Sequence, residues 1–183
     1  NIALDAATND WVLFLDGDER IPTELQQEII AELNKSDKKE AYYFYRKFYF
    51  AGKPIHFSGT QNDKNFRLFR RSKCRYVADK KVHETLIVKG TTGILKNKLL
   101  HYSFDNFEQF KKKMLYYGLL KGSELADKGK KYSIITHWSK VAFKFVKTYF
   151  LKLGFLDGFD GLKISYLQSL YVNETYRKLK NSK

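Results

Sequence analysis

An apolar run that breaks off in acids constrains this chain more than any other feature: Trp11-Val-Leu-Phe-Leu15 leads straight into Asp16-Gly17-Asp18-Glu19-Arg20. Five β-prone residues in succession read as a buried strand. The acids then sit where that strand leaves its sheet, the position at which open α/β folds keep their ligands. Asp16 and Asp18 stand two apart across Gly17, so in a turn their carboxylates can converge on one divalent cation, while the glycine lets the backbone bend and a phosphate come close. Oxygen ligands of this hardness suit Mn2+ or Mg2+, which share their coordination shell with substrate phosphates. The same letters also spell a tight turn followed by a helix cap.

Downstream, Leu25, Ile29, Ile30 and Leu33 recur at helical spacing after Pro22, and the polar stretch 34–40 closes that helix. Ala41-Tyr-Tyr-Phe-Tyr-Arg-Lys-Phe-Tyr-Phe50 reads as a long strand, its turn at Ala51-Gly-Lys-Pro54. Its rings could stack on a saccharide, but alternate residues of a strand point inward, so core packing is the default. Phe66-Arg-Leu-Phe-Arg-Arg71 looks like another strand, with Phe66 and Leu68 on one face and Arg67, Phe69 and Arg71 on the other. Thr85 to Val88 and the run ending at His101 complete the strands. Ser103 to Lys131 reads as a capped helix with an apolar stripe through Phe107, Phe110 and Met114. Gly154 to Gly161 repeats glycine and aspartate, is too short for an EF-hand calcium loop and lacks its bidentate glutamate, and leads into a last helix, Leu162 to Lys180.

The 183 residues, 43% of them hydrophobic, suffice for a sizeable core. A single cysteine, Cys74, excludes an internal disulfide or a Cys-rich zinc site and points to a reducing, cytoplasmic setting. No apolar run approaches the ~20 residues that span a bilayer. The net charge of +14 attracts anionic partners such as nucleic acid, phosphorylated saccharide or an acidic membrane face. No helix-turn-helix, zinc-finger or RNP-type string accompanies it, which argues against nucleic acid.

Residues 1–22, Asn1-Ile-Ala-Leu-Asp-Ala-Ala through Trp11-Val-Leu-Phe-Leu-Asp-Gly-Asp-Glu19, resemble the central segment of family 2 glycosyltransferases with the GT-A fold. The likeness is closest to the bacterial branch that extends lipopolysaccharide core and similar envelope glycans, and it recurs in order at Arg67-Leu-Phe-Arg-Arg71, Val82-His83-Glu84 and Leu100-His101-Tyr-Ser103. It implies a truncated GT-A (Rossmann-like) α/β fold: a mixed sheet flanked by helices, with a C-terminal helical extension. Residues 1–105 would form the metal and acceptor side of the catalytic domain and residues 106–183 the extension. The family places a nucleotide-binding half before this point, so the chain is expected to be a fragment whose activity belongs to the longer protein.

On this resemblance the expected activity is inverting transfer of a sugar from a nucleotide-diphosphate donor to an envelope glycan or lipid-linked acceptor. Asp16 and Asp18 would hold Mn2+ or Mg2+ against the donor, Asp16 also touching substrate, and His101 would add a late histidine to the metal shell. Arg67 and Arg70 would bind the acceptor or the diphosphate, a task the guanidinium fork suits; a basic strand edge that discourages aggregation is the other reading. Glu84 would take the proton from the acceptor hydroxyl, with His83 orienting substrate or carboxylate.

Residues 134–153 mix Trp138, Phe143, Phe145 and Phe150 with Lys140, Lys144, Lys147 and Lys152, the composition of a helix lying in a membrane interface. A core helix packed on the catalytic domain, or an oligomer contact, is the competing reading. The expected location is the inner face of the bacterial cytoplasmic membrane, as a peripheral protein. The alternative function is a non-catalytic basic module that binds membrane or anionic glycan, with Asp16-Gly17-Asp18 only a turn.

Overall fold

A computed structural model describes residues 1–77 and 85–182. The chain divides into two compact units, one of residues 1–47 and 62–101, the other of residues 48–61 and 102–183.

The first unit is a mixed α/β layer. Its elements are α1 (Ile2–Ala6), β1 (Trp11–Leu13), β2 (Glu19–Arg20), α2 (Thr23–Leu33) and β3 (Ala41–Phe50). After β4 (Lys53–Ile55), which belongs to the second unit, come β5 (Lys64–Arg70), β6 (Cys74–Tyr76), β7 (Leu86–Val88), β8 (Thr92–Ile94) and β9 (Leu99–Phe104). The strand order is β1-β5-β3-β9-β2, with β8 parallel to the start of β3 and the β1–β5, β5–β3 and β9–β2 pairs antiparallel. The expected mixed sheet is thus present. Alternation along β3 sends Tyr42 and Phe44 to one face, where they pack with Leu68, Leu95 and Leu99 against Leu25 and Ile29 of α2. Ala41 goes to the other face, with Leu4 of α1, Phe69 and Cys74. The aromatic strand is therefore core, each fully buried ring contributing about 1.5–3 kcal/mol.

Two expectations for this unit change. The run Trp11–Leu15 is not a buried strand, because among the described residues β1 ends the strand order and pairs only with β5; Leu13 and Leu15 are both 39% exposed. On β5 the faces are not the simple alternation read from the sequence. Tyr42 pairs with Leu68 but Tyr43 pairs with Phe66, so Arg67 is the extra residue of a β-bulge. The bulge turns Phe66 onto the face of Phe69, where it stacks on Tyr43 at 3.6 Å between ring centroids, and it re-aims Arg67.

The second unit is mainly helical: α3 (Phe107–Asp127), α4 (Ile134–Val146), a π-helical turn Lys147–Leu151, a 3-10 turn Gly154–Asp157 and α5 (Gly158–Lys180). Its core joins Phe50 and Ile55 to Phe104, Phe110 and Met114, and to Ile164 and Leu167 of α5. The helix expected from Ser103 starts later, because Ser103 and Phe104 complete β9 and Asn106 is the cap, its side chain accepting from the Gln109 amide at 2.9 Å. Gly118 and Gly122 let α3 approach α5: a Cβ at either would lie 2.6–2.8 Å from Tyr171 or Thr175 carbonyls and from the Glu174 or Lys178 side chains. The turn at Gly154–Gly161 is held by Asp157, which accepts from the amides of His56 and Phe57 and the hydroxyl of Ser58 at 2.8–3.2 Å. No helix among the described residues is long and apolar enough to cross a membrane.

Candidate active site

Beyond β1 the chain stays attached for one more residue, the Phe14 amide donating to the Arg67 carbonyl at 2.8 Å, and then turns through Asp16-Gly17-Asp18 into β2. The turn is closed from within. The Glu19 amide donates to the Asp16 carbonyl at 3.0 Å, the Asp16 amide donates to Glu19 Oε2 at 3.1 Å, and the Arg20 guanidinium donates to the Gly17 carbonyl at 2.9 Å. β2 then fixes the far side, with Glu19 opposite His101 and Arg20 opposite Leu100.

Glu19 is the hub of this loop. Its side chain is wholly buried, and its Oε1 accepts from Arg67 Nη2 at 2.6 Å and from Arg46 Nη1 at 3.3 Å. The same Arg67 nitrogen donates to Asp16 Oδ2, and the guanidinium lies over the Phe14 ring, 5.6 Å from its centroid. Arg46 in turn holds Asp63 through two bonds of 3.0 and 2.8 Å. Such paired, hydrogen-bonded charges persist out of water where single ones would not. Arg67 reaches the acids because the bulge aims it there.

Asp18 lies beside His101, whose Nε2 is 3.4 Å from Asp18 Oδ2. Burial pushes the imidazole below its ordinary pKa and Arg46 adds to that, outweighing the opposing pull of Asp18, Glu19 and Asp63. The ring is therefore neutral near pH 7.

The structure brings Asp16, Asp18, Arg67 and His101 to one loop and adds Glu19, Arg46 and Asp63, to which the sequence reading gave no role. Arg46 was the available signal, a cation set inside an aromatic strand. Arg70 is not part of the cluster. It stands opposite Trp11, at the other end of β1, with its guanidinium 5.2 Å from the Trp11 ring centroid and 3.3 Å from Glu40. His83 and Glu84 lie outside the described residues.

The side chains of Asp16 and Asp18 are 47% and 37% exposed, so both carboxylates present oxygen to solvent. With Arg20, Arg46 and Arg67 set against Asp16, Asp18, Glu19 and Asp63, the loop keeps a negative balance in a chain of net charge +14. Among the described residues no group of three or more His, Cys, Asp or Glu side chains is placed to hold a metal ion, so Asp16, Asp18 and His101 do not form a three-ligand set. The donor set fits a hard divalent cation held by one or two carboxylates, with the rest of its shell from phosphate oxygens and water, which is how Mg2+ is usually bound.

Comparison with known proteins agrees with the motifs. The chain is 26% identical to an uncharacterized glycosyltransferase of Rickettsia typhi and 28% identical to one of Rickettsia prowazekii, in each case over 88% of this chain and 59% of the relative. It is 29% identical to the lipopolysaccharide core biosynthesis glycosyltransferase LpsC of Rhizobium meliloti, over 85% of this chain and 56% of that protein. The chain is similar to bacterial glycosyltransferases over most of its length. It spans less than two thirds of these three relatives, no family model matches it, and no solved structure matches it.

Proposed function

We propose that the full-length protein is an inverting, metal-dependent glycosyltransferase that moves a sugar from a nucleotide-diphosphate donor to a bacterial envelope glycan or lipid-linked acceptor of the lipopolysaccharide core type. The observation that carries this reading is the acid loop at the end of β1, in a chain similar to named glycosyltransferases: Asp16 and Asp18 are solvent-facing in a turn whose Asp16 backbone is bonded to Glu19 and whose Asp16 carboxylate is held by Arg67. Preorganised charge of this kind needs no rearrangement when a phosphate ligand arrives.

Asp18 and Asp16 are the residues that would hold Mn2+ or Mg2+, with His101 adjoining Asp18. The cation, when bound, offsets the charge that gathers on the departing diphosphate. Arg67 keeps Asp16 in place, and the neutral His101 offers a lone pair rather than a competing positive charge. Glu84 is assigned as the base, with His83 orienting it. In that step the acceptor oxygen forms a bond to the anomeric carbon, the bond from that carbon to the diphosphate breaks with its electron pair leaving on the diphosphate, and the hydroxyl proton passes to Glu84.

The test is a screen of the full-length protein against a panel of nucleotide sugars with manganese, read as release of nucleoside diphosphate. A donor consumed with acceptor-dependent turnover supports the reading. A folded protein that consumes none, with acceptor extracts present, is instead a basic binding module.

A further inference from the structure

The helix α4 wears its polarity inside out. The inward side of α4 carries His137 and the half-buried Lys144; the buried His137 hydrogen-bonds Asn173 of α5 at 3.0 Å and stacks on Tyr176. The side turned to solvent carries Ile134, Ile135, Trp138, Phe143 and Val146, between 44% and 79% exposed. A helix on a water-facing surface shows the opposite arrangement. The apolar surface continues past the helix through Phe150 and Leu151 of the π turn and on through Phe155, Leu156 and Phe159, again all exposed. Contiguous patches of this extent mark a contact with something apolar.

A second observation says what that something is. Lys140, Lys144, Lys147 and Lys152 line the same stretch, and none of them has an ion-pair partner among the described residues. Lys140 and Lys147 lie over the Tyr176 and Phe143 rings, 5.8 Å from each centroid. Burial lowers the pKa of Lys144, and the neighbouring charges of Lys152 and Lys147 lower it further, so these ammonium groups crowd one another with no carboxylate between them. Positive charge left uncompensated beside Trp, Phe, Ile and Leu matches the layering of an anionic bilayer, acyl chains below and phosphates above. A second copy of the chain fits poorly, because a self-complementary interface would set these lysines against one another in a chain of net charge +14.

We propose that the outward face of α4 and the turns that follow it, Ile134 to Phe159, form a docking surface for an anionic phospholipid bilayer, with the aromatic and aliphatic side chains entering the interface and Lys140, Lys147 and Lys152 meeting lipid phosphates. This surface goes beyond the transfer reading and is independent of it, since vesicle binding requires no donor.

The experiment is flotation of the chain with phosphatidylglycerol–phosphatidylethanolamine vesicles and with pure phosphatidylcholine vesicles, together with Trp138 emission in a Trp11→Phe background. The expected result is binding to the anionic vesicles and a blue shift of Trp138 on binding. Lys140→Glu/Lys147→Glu should weaken binding about tenfold or more, and Phe143→Ser/Phe150→Ser should abolish the blue-shifted, bound population. Both pairs are checked for an unchanged circular dichroism spectrum. If the serine pair fails to fold, the lysine pair and the Trp138 emission still decide the question. Absence of flotation overturns the proposal, as does binding that leaves Trp138 emission unshifted, or a dimer in lipid-free buffer that the same substitutions dissociate.

Discussion

Replacing Arg67 by methionine tests whether the acid loop is held as described. Methionine keeps the apolar stem but, ending where the guanidinium begins, removes both ion pairs made by one nitrogen. The pair with Asp16 counts for little, because that carboxylate is 47% exposed and screened, about 0.5 kcal/mol. The pair with Glu19 counts for more: the Glu19 side chain is 0% exposed and would keep only Arg46, at 3.3 Å. Breaking a buried pair by removing one partner costs about 3–5 kcal/mol, and the remaining arginine places this case near the lower end, about 3 kcal/mol. For a chain of this length the melting temperature should fall by roughly 6–12 °C. The assay is thermal and urea unfolding of Arg67→Met, Glu19→Met and the double variant. Because an apolar pair can stand in for a buried ion pair, the double variant should recover more than about 1 kcal/mol of the summed single losses. A loss below about 1 kcal/mol in Arg67→Met, or strict additivity of the two changes, would refute the hub.

Three further outcomes follow from contacts elsewhere. Gly161→Ala should cost at least about 2–3 kcal/mol in chemical denaturation, since its Cβ would lie 1.8 Å from the Gly154 carbonyl oxygen, a backbone atom that cannot step aside. Burial raises the Glu28 pKa, but hydrogen bonds from the amides of Lys96 and Asn97 and the Asn97 side chain outweigh it, so the folded value lies below the ordinary one. Its contribution is therefore complete above the unfolded pKa and lost as pH falls through the folded pKa; urea midpoints followed from neutral into acid pH should decline less steeply in Glu28→Gln. The Cys74 thiol, buried and pushed up to about 11, should resist iodoacetamide at neutral pH in the folded protein and react once it is unfolded, as mass spectrometry of the two samples would show.

Much of the first unit was legible because period and composition are local. The aromatic strand of β3, the amphipathic α2 and the strand-to-acid transition at Asp16 follow from spacing alone. What was not legible depends on partners far along the chain. The partial exposure of Leu13 and Leu15 follows from the edge position of β1, which no window around residue 13 reports. The bulge that turns Arg67 toward Asp16 and Glu19 shows only in the register against Tyr42 and Tyr43. Glu19 reads as one more acid in a turn until Arg46 and Arg67 are seen to converge on it. Arg70, in the same short motif as Arg67, lies three residues on and faces Glu40 and Trp11 at the opposite end of β1. In the second unit the lysines and aromatic residues of α4 are legible from composition, yet only the burial of His137 reveals that an apolar side faces outward.

The measurement that bears most directly on the account is release of nucleoside diphosphate by the full-length protein with manganese, wild type beside Asp18→Ala. Asp18 is partly exposed and only neighbours His101 at 3.4 Å, so the substitution should leave unfolding within about 0.5 kcal/mol of wild type. The account expects turnover in the wild type and a loss of at least about a hundredfold in the folded variant. Equal turnover in the two proteins would contradict it.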